Sequence, residues 1–325
     1  MRLLVTGGAG FIGSNFIRYW LKHHPDDQLI NLDLLTYAGN LANLKDLADQ
    51  ANYRFVQGDI CDYQIVDELV GQVDAIVNFA AETHVDRSIG NGLAFVKTNI
   101  EGTANLLEAA RRHGGIRFHH ISTDEVYGDL TATEPRFTEK TPYRPSSPYS
   151  ASKAASDHLV RAYYRTYNLP VTISNCSNNY GPYQFPEKLI PLFVTNLLDN
   201  QKVPLYGSGG NIRDWIHVDD HNAGVEAILL RGKIGETYCL GGNSEVSNLE
   251  LTKLLLNLLG KDESYIEPVA DRLGHDWRYA IDFTKAKQEL GWEPKMTFSQ
   301  GLSATVEWYL KHPEWWRPLK DKLGQ

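Results

Sequence analysis

Apolar residues in the first half of the chain fall into two alternating patterns. Short continuous runs at Arg2–Thr6, Leu29–Leu32, Tyr53–Gln57, Ala75–Phe79 and Arg117–Ser122 read as buried strands. Between them, apolar positions recur at helical spacing from Phe11 to about Lys22, over Tyr63–Val70 and over Asn99–His113. This alternation predicts an α/β fold, a doubly wound parallel sheet of the Rossmann type. A further helix opens at Tyr149, and another apolar strand covers Pro170–Asn175. Beyond Cys176 the alternation weakens and Pro and Gly become frequent, as at Pro182, Pro186, Pro191, Pro204, Gly207, Gly209 and Gly210. The expected organisation is a nucleotide-binding domain over 1–175 that also carries the catalytic residues. A smaller, loop-rich C-terminal substrate domain follows over 176–325, with the segment 213–231 returning to the first.

Gly7, Gly10 and Gly13 form a G-x-x-G-x-x-G series between the first strand and the first helix. Glycines there let the backbone approach a pyrophosphate, and the helix N-terminus offers unpaired N–H groups. The second strand ends in Asp33, about twenty residues past the last glycine, where an acid accepts hydrogen bonds from an adenosine ribose. A carboxylate also repels a 2′-phosphate, so NAD is expected rather than NADP. Ligands of such sheets gather at the carboxyl ends of strands, which directs Asp59-Ile60, Ala80-Ala81 and Ser122-Thr123-Asp124-Glu125 toward one crevice. Ala80 and Ala81 are small enough to leave room for the cofactor, although ordinary close packing explains each alanine equally well.

Tyr149 and Lys153 are four apart, so on a helix they share a face. A free phenol titrates near pH ~10, and a close cation favours its ionised form, which makes Tyr149 a candidate base for a hydroxyl proton. Asp124 and Glu125 raise a geometric condition. Neighbours on an extended strand point to opposite faces, so both serve one substrate only if the strand ends by Thr123 and a loop or helical turn follows.

Composition narrows the class of partner. The 325 residues, 42% hydrophobic and 11% aromatic, suffice for one large unit or two domains sharing a cleft. A net charge of −8 argues against nucleic acid, while local cations at Lys188, Arg213 and Arg272 suit a diphosphate. Cys61, Cys176 and Cys239 are odd in number and lack a C-x-x-C, which reads as reduced thiols in a cytoplasmic protein. The N-terminus runs straight into a strand pattern with no leader expected, and no apolar run approaches the ~20 residues of a membrane span. His217 and His221 have helix-compatible spacing but no supporting cluster, so no metal is expected. His119 and His120 read as strand residues, His84 as a local hydrogen bonder, and Trp308 to Trp316 as aromatic packing.

Several stretches carry a family resemblance: Thr6 to Gly13, Asp33 to Gly39, Ala80 to Ser88, Ser122 to Gly128 and Tyr149 to Lys153. Ser177 to Pro182, Phe185 to Pro191, Ile212 to Trp215 and Asp271 to Asp276 extend it over nearly the whole chain. The sequence resembles the extended short-chain dehydrogenase/reductase superfamily and, within it, the nucleoside-diphosphate-sugar 4,6-dehydratases of the thymidine-sugar branch. The first and fifth stretches are common to the superfamily; the Asp-Glu pair separates dehydratases from epimerases. Two residues depart from the family pattern: Asn175, where Arg is more usual, and Leu273, where Pro is.

The resemblance implies a lyase that dehydrates dTDP-glucose to a 4-keto-6-deoxy sugar through bound NAD, serving deoxysugar biosynthesis such as that of dTDP-rhamnose. It implies that Tyr149, with Lys153 and Thr123, takes the 4-hydroxyl proton, Glu125 the carbon 5 proton, and that Asp124 protonates the leaving 6-hydroxyl. For NAD it implies Phe11, Ile12, Asp33, Leu34, Leu35, Thr36, Asp59, Ile60, Phe79, Ala80, Ala81, Glu82, Thr83, Thr98, Tyr149, Lys153 and Asn179. For the nucleotide sugar it implies Thr83, Thr123, Asn178, Lys188, Leu189, Pro204, Leu205, Tyr206, Arg213, Asn248, Asp271, Arg272, Leu273, Gly274 and His275. A homodimer through the helices near 99–113 and 149–167 also follows from the resemblance. Two rivals are a nucleotide-sugar 4-epimerase, which needs no acid–base pair for removing water, and a non-catalytic NAD-sensing scaffold, which has no need of Tyr149 or Lys153.

Overall fold

The computed structural model describes residues 1–271 and 274–323. Its strands are β1 (Arg2–Thr6), β2 (Gln28–Asp33), β3 (Tyr53–Gln57), β4 (Ala75–Asn78), β5 (Arg117–Thr123), β6 (Val171–Cys176), β7 (Asn178–Tyr180), β8 (Val203–Tyr206), β9 (Ile212–His217), β10 (Thr237–Leu240), β11 (Glu245–Ser247) and β12 (Ile266–Val269). The buried apolar runs assemble into a seven-stranded sheet in the order β10-β6-β5-β4-β1-β2-β3. Every pairing in it is parallel. Strands this apolar need cover on both sides. Phe16, Ile17 and Trp20 of the helix Phe11–His23 cover one face together with Val225 and Ile228 of the helix Val218–Arg231. Val66, Leu69, Leu106, Ala110 and Val160, from the helices Tyr63–Val70, Thr103–Arg112 and Pro148–Tyr167, cover the other.

The chain runs outward from β1 to β2 and β3, then returns to β4 on the other side of β1, so the sheet has a switch point between β1 and β4 where a crevice opens. β10 was not expected. It is four residues long, lies in the Pro- and Gly-rich half, and owes its place to parallel pairing with β6. The helix Val218–Arg231 is tied to the first helix by the Tyr19 hydroxyl, which donates to Glu226 Oε2 at 2.7 Å.

A second body caps the crevice. β7, β9 and β11 form a small mixed sheet and β8 pairs with β12. Its core joins Phe185, Phe193, Trp215, Leu251, Tyr309 and Trp316. The aromatic end segment packs inward: Trp316 Nε1 donates to the Tyr309 carbonyl and Trp315 Nε1 to Asn43 Oδ1, both at 2.8 Å. The expected helix over 99–113 is α-helical from Thr103 to Arg112, preceded by a wider π-helical stretch, Val96–Gly102. No helix among the described residues is long and apolar enough to cross a membrane.

Candidate active site

The glycine turn is forced by close approach. Gly7 has φ +70°, and a Cβ on it would lie 2.6 Å from the Ala80 nitrogen; one on Gly13 would lie 2.4 Å from the Gly7 carbonyl. Gly10 caps the helix Phe11–His23 without a side-chain hydrogen bond, and no acid occupies the first turn, so the helix N-terminus is open to an anion. Asp33 at the end of β2 fixes the neighbouring backbone: its Oδ2 accepts from the Ala9 N–H at 2.9 Å and its Oδ1 from the Leu35 N–H at 2.8 Å. Burial pushes this carboxyl up and the two backbone donors oppose it.

These groups line a cavity of about 320 Å³ with Phe11, Ile12, Leu34, Thr36, Asp59, Ile60, Phe79, Ala80, Ala81, Glu82, Thr83, Thr98, Tyr149, Lys153 and Asn179. A bare helix N-terminus, backbone that no Cβ obstructs and a ribose-facing acid suit a dinucleotide diphosphate. Leu35 is the exception among the predicted cofactor residues. It is not in the wall; it takes a left-handed conformation, φ +58°, and turns the chain while its N–H goes to Asp33. Asn99, from the π-helical stretch, shapes the opposite side. Its side chain bonds both the N–H and the carbonyl of Glu82, at 2.9 and 3.1 Å, and donates to Ser152 Oγ at 2.8 Å.

The catalytic candidates come from two elements. β5 ends at Thr123, and a single 3-10 turn, Asp124–Tyr127, follows with Thr123 Oγ1 accepting from the Glu125 N–H at 3.3 Å. The turn separates the two carboxyls. Glu125 lines the cavity, whereas Asp124 is 1% exposed and lies outside the wall, its Oδ2 unpartnered among the described residues. Burial, then Glu125 and Asp214, push the Asp124 carboxyl far above the usual carboxylate range. These surroundings favour its protonated form.

The helix Pro148–Tyr167 begins with a capping box in which Ser147 and Ser150 bond reciprocally, with Pro148 at its first position. This places Tyr149 and Lys153 on one face, both buried and both in the cavity wall. Burial, then the Glu125 charge, raises the Tyr149 phenol, and the Thr123 hydroxyl pulls it the other way. The Lys153 ammonium donates to the Ile121 carbonyl at 2.7 Å rather than to the phenol, and burial lowers it to about 8.

A second cavity, of about 240 Å³, adjoins the first: Thr83, Glu125, Asn178, Asn179, Gln184, Glu187 and Lys188 line both. It also brings together Leu189, Pro204, Leu205, Tyr206, Arg213, Asn248, Gly274 and His275. Arg213 is held rigidly, donating to the carbonyls of Ile212 (2.7 Å) and Asp276 (3.0 Å), with its guanidinium 4.3 Å from the centre of the Tyr279 ring. Lys188 Nζ donates to the Thr83 carbonyl at 3.3 Å.

A sequence profile of the family described as GDP-mannose 4,6 dehydratase matches residues 4–305. A dTDP-glucose 4,6-dehydratase of Mycobacterium tuberculosis is 55% identical over 99% of this chain and 97% of its own length. The chain belongs to the dTDP-glucose 4,6-dehydratase family. DesIV, the family member from Streptomyces venezuelae, was crystallised with NAD and a second ligand. It superposes with a TM-score of 0.96 at 54% identity, over 98% of this chain and all of that one. The dTDP-glucose 4,6-dehydratase of Bacillus anthracis, in complex with NAD, gives 0.93 at 51% identity over 98% and 99%.

Family membership leaves some residues to the geometry. Asp271 is not in the second cavity's wall; it holds His275, whose Nδ1 is 2.6 Å from its Oδ1. Arg272 and Leu273 lie outside the described residues. His84, Ser147, Trp215, Asp276 and Tyr279 line the second cavity without having been singled out as contacts. Trp215 and Asp276 sit inside the family stretches 212–215 and 271–276, which was the available signal; Tyr279 had none. Asn175 is buried and donates to the Thr123 carbonyl (3.1 Å) and to Asp157 Oδ2 (3.3 Å), behind the end of β5. His217 accepts from the Asp219 N–H as a helix cap, and His221 is lowered by burial to about 3.

Proposed function

We propose that this protein is a dTDP-glucose 4,6-dehydratase that turns the bound sugar into its 4-keto-6-deoxy derivative with NAD as a recycled cofactor. One observation carries the reading: consecutive carboxyls beside a cavity-lining Tyr149 have opposite surroundings, Asp124 sealed and proton-retaining, Glu125 in the wall shared by both cavities. An epimerase has no use for such a pair.

NAD, when bound, would supply the hydride acceptor for carbon 4 of the sugar and, once reduced, the hydride donor for carbon 6. Gly7, Gly10 and Gly13 with the open helix N-terminus hold its diphosphate, and Asp33 its adenosine ribose. The base is the phenolate of Tyr149: the Thr123 hydroxyl and the nearby positive charge of Lys153 act against the burial that raises the phenol, and the ionised oxygen takes the 4-hydroxyl proton. Once carbon 4 is a ketone, the carbon 5 proton is acidic, and Glu125 removes it with a carboxylate oxygen. Asp124 gives its retained proton to the departing 6-hydroxyl, which leaves as water. Two groups with separated proton affinities thereby do opposite jobs in one step. Arg213, Lys188 and His275 supply positive or donor groups for the nucleotide diphosphate. Residues 1–175 serve chiefly the cofactor and 176–325 chiefly the nucleotide sugar.

The finer setting rests on surface and thiols. Leu93 is 80% exposed, Ile89 50% and Val96 47%, on successive helical stretches beside the helix Pro148–Tyr167, which supports a homodimer through this face. Three unpaired cysteines support a reducing, cytoplasmic setting.

The test is to incubate purified protein with dTDP-glucose in deuterated water, adding no cofactor, and to follow the sugar by NMR and mass spectrometry. Loss of one water with deuterium at carbon 5 is expected. A galactose epimer, or an unchanged sugar even after NAD is added, sinks the reading.

A further inference from the structure

Behind Lys153 lies a buried polar cluster most of which touches neither cavity. Asp157 follows Lys153 by four residues on the same helix, and Arg161 follows Asp157 by four, so cation, anion and cation share one helix face. Asp157 is 0% exposed, and one of its carboxyl oxygens takes three hydrogen bonds. Oδ2 accepts from the Tyr143 hydroxyl at 2.7 Å, the Ser122 hydroxyl at 2.9 Å and Asn175 Nδ2 at 3.3 Å. Oδ1 lies 3.5 Å from His120 Nε2.

His120 ties the cluster together through both ring nitrogens. Asn78 uses its side-chain oxygen to accept from the Thr6 hydroxyl at 2.6 Å and turns its nitrogen to His120 Nδ1 at 3.2 Å. Nε2 lies 3.2 Å from Ser156 Oγ and 3.3 Å from the Lys153 ammonium, and the Ser156 hydroxyl donates to the Lys153 carbonyl at 2.9 Å. Burial keeps His120 neutral. Neither it nor the Ile121 carbonyl, which takes the Lys153 ammonium hydrogen, provides negative charge.

Among the described residues, Asp157 is the buried carboxyl whose charge most favours the Lys153 ammonium. Burial raises this carboxyl above its usual range, and the charges of Lys153 and Arg161 with the donors from Tyr143 and Ser122 oppose that rise. The remaining titratable neighbours do not change that balance: Cys176 on β6 faces Lys153, Tyr127 and Tyr143 face Asp157, and burial holds all three in their neutral forms. Resting on the catalytic reading above, we propose that Asp157 is the buried counter-charge of Lys153 and, through that ammonium, a positioning residue for Tyr149.

The consequence is electrostatic. Without the carboxylate, the buried ammonium loses the charge that most favours it and gives up its proton at lower pH, which removes positive charge from beside the phenol.

The test reads the ammonium directly in the full chain. Protein labelled with carbon-13 at lysine Cε is titrated by NMR, with Lys153→Met used to assign the resonance. The wild-type midpoint is expected near 8. Asp157→Asn is expected to lower it by about one pH unit, and Asp157→Glu to keep it within about 0.3 unit of wild type. With dTDP-glucose, the alkaline limb of kcat for Asp157→Asn moves down by the same amount while KM changes by less than about twofold. A folded Asp157→Asn with an unmoved lysine midpoint overturns the proposal, whatever its thermal stability. If Asp157→Asn does not fold, Tyr143→Phe removes the shortest donor to the carboxylate and is expected to shift the midpoint the same way by a smaller amount. An unmoved midpoint there overturns it equally. The titration needs no turnover, so a wild-type protein inactive on dTDP-glucose overturns the proposed function separately from the lysine result.

Discussion

Asp124 and Glu125 are close chemical relatives whose surroundings make them different groups. One β-strand ending at Thr123 buries the first and leaves the second in the cavity wall. Glu125→Gln is expected to allow reduced cofactor to form on adding substrate but to cut solvent exchange at carbon 5 by about 100-fold or more. Full exchange in that variant removes Glu125 from the base role. Lys153 has the clearest pH signature. Its ammonium, lowered by burial to about 8, is charged below that pH and neutral above it. The rate of sugar oxidation, followed by stopped-flow absorbance of the reduced cofactor, is therefore expected to fall as pH rises through about 8, well before a free lysine titrates near ~10.4.

At the scale of an element, the helix Pro148–Tyr167 shows how local sequence places chemistry. Ser147 Oγ accepts from the Ser150 N–H at 3.1 Å, and Ser150 Oγ accepts from the Ser147 N–H at 3.0 Å. The first turn held by this box contains Tyr149. Ser147→Ala is expected to cost about 1 kcal/mol of stability, read from the denaturation midpoint, and to lower kcat because the phenol loses its fixed position. Gly128 does a similar service after the carboxyl pair. It ends the turn at φ +89°, where a Cβ would meet the Arg144 carbonyl at 2.4 Å.

Over the whole molecule, the two cavities are joined by loops that lie far apart in sequence. The Tyr37 hydroxyl donates to Glu187 Oε1 at 2.9 Å, and the Arg87 guanidinium lies 3.6 Å from the Tyr37 ring centre. Segments following β2, β4 and β7 are thus fastened together beside the cofactor cavity, whose wall includes Glu187. Tyr37→Phe removes one hydrogen bond of about 1 kcal/mol and is expected to speed NAD loss about fivefold, measured as cofactor retained after dialysis. The exposed face around Leu93 belongs to the same scale. Leu93→Asp places a charge where the proposed homodimer covers apolar surface, and light scattering is expected to report a dimer mass for the wild type and about half of it for the variant; a wild-type monomer removes the proposed dimer.

How much of this was legible in the chain depends on the range of the interaction that fixes each feature. The glycine series, Asp33, and the Tyr149 to Lys153 spacing are governed by backbone conformation and helical period within a few residues, so the sequence by itself determined the fold class, the cofactor side and the helix that carries the catalytic candidates. The end of β5 at Thr123 was also foreseeable, because alternation along a strand forbids both carboxyls one crevice. What only the tertiary structure decided are features set by distant neighbours. Thr237–Leu240 becomes a strand by pairing with β6, Leu35 leaves the cavity wall because Asp33 captures its N–H, and Asp271 serves His275 rather than the cavity. The unequal burial of Asp124 and Glu125 is of this kind too. Spacing brings two identical functional groups together, but the packed protein around them determines which keeps its proton, because desolvation depends on everything nearby and not on sequence order.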